Sequence, residues 1–210
     1  MIIFDLDGTL WNTVDTTLEA ANNIAKEYEE VKRFNKKPIV DSMGLSRSEA
    51  AVIYMPYLNK RKATKYMKEI SEESVKIINQ KGATLYKGVV PTIKRLSKKY
   101  KLGIVTNNTD EYAKIFIKTS KLGKYFTDYI GTASYGITKA EAIKEMCKRN
   151  NEPNSFYVGD IKKDMLATKE AGMTFIHAKY GFEPNLESKY YIDDIGDLEE
   201  LINDIISKSI

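Results

Sequence analysis

The chain is short of the residues that crosslink or ligate on their own, with one cysteine and one histidine among 210 residues. A single cysteine, Cys147, rules out an intramolecular disulfide. With Ile143 and Met146 it falls on one face of a helical stretch, so it reads as a small buried apolar side chain. The single histidine, His177, sits in an apolar strand-like run with no second His or Cys nearby. It reads as a hydrogen-bonded core residue in preference to a metal ligand. No apolar run approaches the roughly 18 residues of a membrane span, and the N-terminus shows no basic region or cleavage site. The expectation is a cytoplasmic protein with no membrane partner. There is no internal repeat, no low-complexity tract and no basic tail: 33 Lys and Arg stand against 29 Asp and Glu, scattered along the chain, for a net charge of +4. That balance favours anionic small molecules weakly and argues against a nucleic-acid partner. Oligomeric state is not legible.

What is present is an alternating grammar. From residue 85 onward short apolar runs alternate with helical patterns, which implies βα units building a parallel sheet with helices on both faces. Strands are expected at Leu102–Thr106, Tyr129–Gly131, Phe156–Gly159 and Phe175–Ala178. Helices are expected from Asp110 to a stop at Gly123, over Lys139–Lys148 and over Lys163–Ala171. A last helix opens at Asp197 with Glu200 as a capping pair and buries Leu198, Leu201, Ile202, Ile205 and Ile206. The first strand, Ile2–Leu6, is cut off from this run by a stretch with long amphipathic patterns and no convincing strand. Residues 1–12 and 84–210 therefore form an α/β core, and residues 13–83 an inserted all-helical domain.

In open parallel sheets, polar groups at the carboxyl ends of strands converge on one crevice where strand order reverses. Asp5 and Asp7 close the first strand, Thr106 and Asn107 close the next, and Asp160 closes the strand beginning at Phe156, with Asp164 one helical turn on. Lys139 opens the helix before that strand. Three carboxylates in one crevice either rise in pKa or are neutralised by a hard cation, and oxygen ligands of this kind suit Mg2+. The Lys139 ammonium and the Thr106 hydroxyl add groups for non-bridging phosphate oxygens, the electrostatic work that dominates phosphoryl transfer.

The run Asp5-Leu6-Asp7-Gly8-Thr9, together with Thr106, Lys139 and Gly159-Asp160 with Asp164, resembles the four motifs of the haloacid dehalogenase superfamily of aspartyl phosphatases. The similarity extends over essentially the whole chain and lies nearest the phosphoglycolate phosphatase-like and beta-phosphoglucomutase-like branch. One departure is Ala140, where a proline usually follows the motif lysine. The resemblance implies an α/β fold, a Rossmann-like parallel-sheet core with a small all-helical cap domain inserted after the first strand. It implies an Mg2+-dependent hydrolase of a small phosphorylated metabolite, with Asp5 as nucleophile, Asp7 as acid and then base, and Lys139 as the third catalytic group. The metal would be held by Asp5, Asp160 and the main-chain carbonyl of Asp7. Thr106, Asn107 and Lys139 would bind phosphate, with Thr9 and Asp164 in support behind them.

Several positions keep a plainer reading. Asp164 is also an acid in the first turn of a helix, where the dipole favours it. Lys139 does not share that excuse, because a cation sits poorly at a helix N-terminus. Trp11 packs at the domain hinge or walls a substrate pocket. In the inserted domain Arg47 reads either as a solvated first-turn arginine or, by the same resemblance, as the group that holds a second anion on the substrate. A phosphosugar mutase is the second functional reading; the family's mutases commonly carry a non-threonine residue after the motif glycine and an acid before the metal aspartate, whereas this chain has Thr9 and Gly159. A pyrophosphatase and a non-catalytic phosphometabolite-binding protein stand behind it.

Overall fold

The computed structural model describes residues 1–208, which divide into two compact units, Met1–Trp11 with Leu85–Ile210 and Asn12–Thr84. The first holds a six-stranded sheet. Its strands are β1 (Ile2–Phe4), then, after the short β2 (Trp11–Asn12) and β3 (Thr84–Leu85), β4 (Leu102–Thr106), β5 (Asp128–Gly131), β6 (Phe156–Gly159), β7 (Thr174–Ala178) and β8 (Tyr191–Ile192). The order across the sheet is β5-β4-β1-β6-β7-β8, and every pairing is parallel. β1 is flanked by β4 on one side and β6 on the other, with Phe4 in register with Ile104 and Val158. Strand order therefore reverses at β1, and the crevice of an open α/β sheet lies at its carboxyl end. Strands buried on both faces need uninterrupted apolar sequence, and Ile2, Ile3 and Phe4 are fully buried.

The helices of this unit are, in chain order and after the four of the other unit, α5 (Val89–Leu96), α6 (Asp110–Ser120), the one-turn α7 (Thr132–Tyr135), α8 (Lys139–Asn150), α9 (Lys162–Ala171) and α10 (Leu198–Ser207). One core cluster joins Ile3, Val105, Ile130, Tyr157 and Phe175 of the sheet to Ala142, Ile143, Met146 and Cys147 of α8. Cys147 is thus an interior side chain, and burial pushes its thiol pKa up, away from reactivity.

Four local expectations need correction. The cap of α6 is Thr109, whose side chain accepts from the Tyr112 amide, and the helix ends at Ser120 with Lys121 left-handed; Gly123 begins a separate 3-10 turn. Asp197 does not cap α10: a 3-10 turn, Ile195–Asp197, precedes it, and Asp194 supplies the capping carboxylate to Gly196. The apolar stripe of α10 is narrower than its sequence suggests, with Leu198, Ile202 and Ile205 buried and Ile206 exposed. His177 is buried, but neither ring nitrogen makes a hydrogen bond. Burial holds its pKa down, against an opposing pull from the main chain at Asp160 and Glu183.

The second unit is helical: α1 (Val14–Glu27), α2 (Lys36–Asp41), α3 (Arg47–Tyr54) and α4 (Lys60–Lys81). The 22-residue α4 buries Tyr66, Met67, Ile70, Ser74, Ile77 and Ile78, a spacing that keeps one face apolar over successive turns. Asn59 caps it at one end, and Gly82, at a φ of 75°, closes the other. The chain leaves the α/β unit and returns to it through β2 and β3, which are paired. Among the described residues no helix is long and apolar enough to cross a membrane.

Candidate active site

The site assembles from strand ends that lie far apart in sequence. Asp5 follows β1 and is tied to the neighbouring strand by its amide, which donates to the Val158 carbonyl at 2.9 Å. Asp160 follows β6, Thr106 ends β4, and Asp164 lies in the first turn of α9. One carboxylate oxygen from each of Asp5, Asp160 and Asp164 lies within 4.8 Å of the others, and all three residues are buried.

Lys139 enters this cluster from the first turn of α8. Its Nζ donates to Asp5 at 3.0 Å and to Asp164 at 2.5 Å. Thr138 and Glu141 form a capping box that fixes the turn from which it projects. Burial alone would lower the pKa of the ammonium, but the Asp164 and Asp5 carboxylates facing it hold it well above the ordinary value. The cation at an unfavourable helix terminus is therefore a fixed charge aimed at the crevice. Asp164 does both things its sequence allowed: it binds Lys139 through one oxygen, and the other accepts from the amides of Asp160 and Ile161 at 3.2 and 3.4 Å.

Asp160 is enclosed more tightly. Its Oδ2 accepts from the Phe182 amide at 2.7 Å, and the Thr9 hydroxyl reaches its Oδ1 at 3.4 Å. A Cβ on Gly8, which has a φ of +89°, would stand 2.1 Å from Asp160 Oδ2, and one on Gly181 would stand 2.2 Å from its Cβ. Two glycines are thus required for the main chain to close around this carboxylate.

Asp7 is half-buried. Its Oδ1 accepts from the Tyr112 hydroxyl at 2.9 Å, and its Oδ2 from the Asn108 amide at 3.3 Å. Asn107 and Asn108 are both exposed, and it is the Asn108 side chain that reaches Asp7. Thr106 is buried, and its Oγ1 accepts from the Asn108 amide at 3.3 Å, which fixes the loop after β4. Neither Asn108 nor Tyr112 stands out in the sequence, because Tyr112 lies on the apolar side of an amphipathic helix. Trp11 is buried in the α/β unit, edge-on to Tyr112 and Phe116 with centroids 5.4 and 5.1 Å away. Arg47 is exposed in the first turn of α3, beside the Ser46–Glu49 capping box of the helical unit.

The electrostatics of the cluster follow from crowding. Burial raises Asp5 most; Lys139 pulls it back, Asp164 and Asp7 oppose that, and the carboxyl ends at about 7. Burial, Asp164 and Asp5 likewise hold Asp160 well above its ordinary range. Such a donor set favours being neutralised, and buried aspartate oxygens converging from three positions match the ligands of a hard divalent cation. Raised folded-state pKa values stabilise the fold fully below the unfolded value of 3.8, and that stabilisation is lost as pH rises through about 7. In a chelator, stability is expected to fall on the order of 2 kcal/mol between pH 5 and 8, or several degrees in thermal midpoint. A midpoint that stays level or rises over that interval would contradict this account of the cluster.

The family model for haloacid dehalogenase-like hydrolases matches residues 2–178, a span running from β1 through β7. The chain belongs to the haloacid dehalogenase-like hydrolase family. Among curated relatives of this hydrolase, the phosphoglycolate phosphatase of Vibrio cholerae is 26% identical over 96% of each chain. That of Synechococcus elongatus is 23% identical, over 86% of this chain and 84% of its own. The solved structure of a "predicted phosphoglycolate phosphatase" from Haemophilus somnus superposes with a TM-score of 0.83 at 20% identity, covering 96% of this chain and 97% of the other. A haloacid dehalogenase-like family protein from Streptococcus pneumoniae gives 0.82 at 24%, with 96% of each chain covered. The hydrolase therefore shares its fold with these structures across the sheet and the helical insertion alike.

Proposed function

We propose that this hydrolase cleaves small phosphate monoesters with Mg2+, passing through a phosphoryl group held covalently on Asp5. The observation that carries the reading is the buried convergence of Asp5, Asp160 and Asp164 with Lys139 donating to two of them. Resemblance in sequence to phosphoglycolate phosphatases supports the substrate class, a short anionic phosphate ester.

Asp5, Asp160 and the main-chain carbonyl of Asp7 would hold the ion, and Asp164 would hold Lys139 beside it. When bound, Mg2+ supplies positive charge that keeps the carboxylates ionised and offsets charge on the phosphoryl oxygens. Asp5 attacks phosphorus through one carboxylate oxygen, forming an acyl phosphate as the ester oxygen departs. Asp7 gives that oxygen its proton and then takes one from the water that attacks the phosphoryl group, restoring both carboxyl groups. Lys139 keeps its proton throughout, because two carboxylates hold it, and acts as a fixed charge on the phosphoryl oxygens. Thr106 and the main-chain amides after it, including that of Asn107, grip the same oxygens.

Mutase chemistry is the less favoured second reading, and a specific contact argues against it. A Cβ at Gly159 would stand 2.6 Å from Asp164 Oδ2, so the acidic residue that the mutase pattern places before the metal aspartate does not fit this backbone. Arg47 is proposed as the contact for a second anionic group, such as the carboxylate of a phosphoglycolate-like ester.

The test is a hydrolysis screen over phosphorylated metabolites with Mg2+, with Mg2+ and chelator, and with Ca2+. Phosphate release should depend on Mg2+. Ca2+ should inhibit, because its larger coordination sphere lets both Asp5 oxygens bind metal and leaves neither free to attack. Full activity in chelator would end the proposal.

A further inference from the structure

The general acid of such a reaction must be aimed, and the structure contains a device that aims it. Asp7 has a hydrogen-bond donor on each carboxylate oxygen, Tyr112 Oη at 2.9 Å and Asn108 Nδ2 at 3.3 Å. The tyrosine is the stiffer of the two. Its residue lies in the first turn of α6, where its amide donates to the Thr109 side chain, and its side chain is buried. Its ring rests edge-on against Trp11, with planes inclined by 74°. Trp11 is in turn bridged through its backbone to Asp7. The chain thus runs in a closed circuit: Asp7 backbone to Trp11 backbone, indole to phenol, and phenol hydroxyl back to the Asp7 carboxylate.

The start of α6 is itself fixed from the other side. Asp110 accepts from the Gly131 amide at 2.6 Å and from the Tyr135 hydroxyl at 2.5 Å, so the first turn is tied to the end of β5 and to α7. A hydroxyl carried on that turn is a stationary reference point for the carboxyl group of Asp7. Catalytic groups displaced by about an ångström lose rate steeply, since proton transfer in the transition state depends on direction as well as distance.

We propose that Tyr112, assisted by Asn108, is a positioning residue that holds the Asp7 carboxyl group in the direction of the departing ester oxygen. The inference rests on Asp7 being the acid. It predicts that loss of the hydroxyl harms those substrates whose leaving oxygen most needs a proton. Alkyl phosphates, with strongly basic alkoxide leaving groups, belong to that class; p-nitrophenyl phosphate, whose phenolate departs without help, does not.

The experiment compares kcat/KM, which reports steps up to release of the leaving group, for an alkyl phosphate and for p-nitrophenyl phosphate in Tyr112→Phe, Asn108→Ala and Asp7→Asn. Tyr112→Phe keeps the ring against Trp11 and removes the hydrogen bond to Asp7. It is expected to lose about 10- to 100-fold on the alkyl ester, the range for one hydrogen bond to a charged group, and less than about threefold on the nitrophenyl ester. Asn108→Ala, at an exposed position, should show the same selectivity to a smaller degree. Asp7→Asn should show it most strongly. If Asp7→Asn is selective while Tyr112→Phe loses nothing, or loses equally on both esters, the positioning role is overturned and Asp7 remains the acid. If Asp7→Asn keeps wild-type rates on both esters, the assignment of Asp7 is wrong and the role of Tyr112 falls with it.

Discussion

Asp5→Asn is expected to reduce turnover by on the order of 10⁴-fold or more and to abolish covalent capture of phosphorus by the protein. Asp5 and Asp7 are two residues apart and both stand at the carboxyl end of β1, yet their surroundings differ. Asp5 is buried beside Asp160, Asp164 and Lys139, whereas Asp7 is half-buried and held by neutral donors. The carboxylate among fixed charges is suited to be the nucleophile, since its oxygen stays in place while charge moves through the crevice. The one held by a phenol and an amide is suited to exchange a proton. Rapid acid quench of the wild type with phosphorus-labelled substrate should leave label on the peptide containing Asp5, and the Asn variant should show none. Label on another peptide would remove Asp5 from the role proposed for it.

The second large effect concerns Lys139. Lys139→Met leaves the Asp5 and Asp164 carboxylates without the ammonium that pairs them, in a site where the lysine side chain is 7% exposed and those of the acids 9% and 0%. Breaking a buried pair by removing one partner costs about 3–5 kcal/mol, because the remaining charge stays desolvated. In a chain of this length that corresponds to a thermal midpoint about 10 °C lower at neutral pH in chelator. The folded-state pKa of Lys139 is raised, so the stabilisation it gives is present at neutral pH and is lost only above the ordinary lysine value of 10.5. At pH 5 Asp5, whose pKa burial raises to about 7, can protonate, and the deficit of the variant should shrink. A deficit that does not change between pH 5 and 7 would mean that the methionine disturbs packing and not charge. Activity should fall severely at any pH where the variant is folded, since no other cation replaces the ammonium.

Strands and acids at their ends could be read from sequence because each signal is local. Ile2, Ile3 and Phe4 announce a strand buried on both faces, and β4 and β6 run over Leu102–Thr106 and Phe156–Gly159 as their apolar content implies. The convergence of Asp5, Asp160 and Asp164 follows from the single rule that such strands point the same way. The two-residue strands β2 and β3 could not be read, since so short a pairing has no period. Nor could the failure of Asp197 to cap α10, where a rival carboxylate three residues earlier takes over the turn. Tyr112 was hidden for a different reason. Its ring satisfies the apolar face of α6 and its hydroxyl serves Asp7, and periodicity registers only the ring. Asn108 was hidden as well, because which of two adjacent asparagines reaches Asp7 depends on the course of a loop.

The central place of β1 has a cost in time. Its two partners, β4 and β6, begin at Leu102 and Phe156, while β1 itself begins at Ile2. At translation rates of roughly 5–20 residues per second, β1 is made on the order of 10 s or more before β6 exists. Both of its edges lack a partner strand until β4 is made, the edge that faces β6 lacks one for the whole interval, and the helical insertion is completed before either neighbour is synthesised. During biosynthesis the strand that leads into Asp5 therefore waits longest for its final partners, and shielding by a chaperone would matter most for Ile2, Ile3 and Phe4.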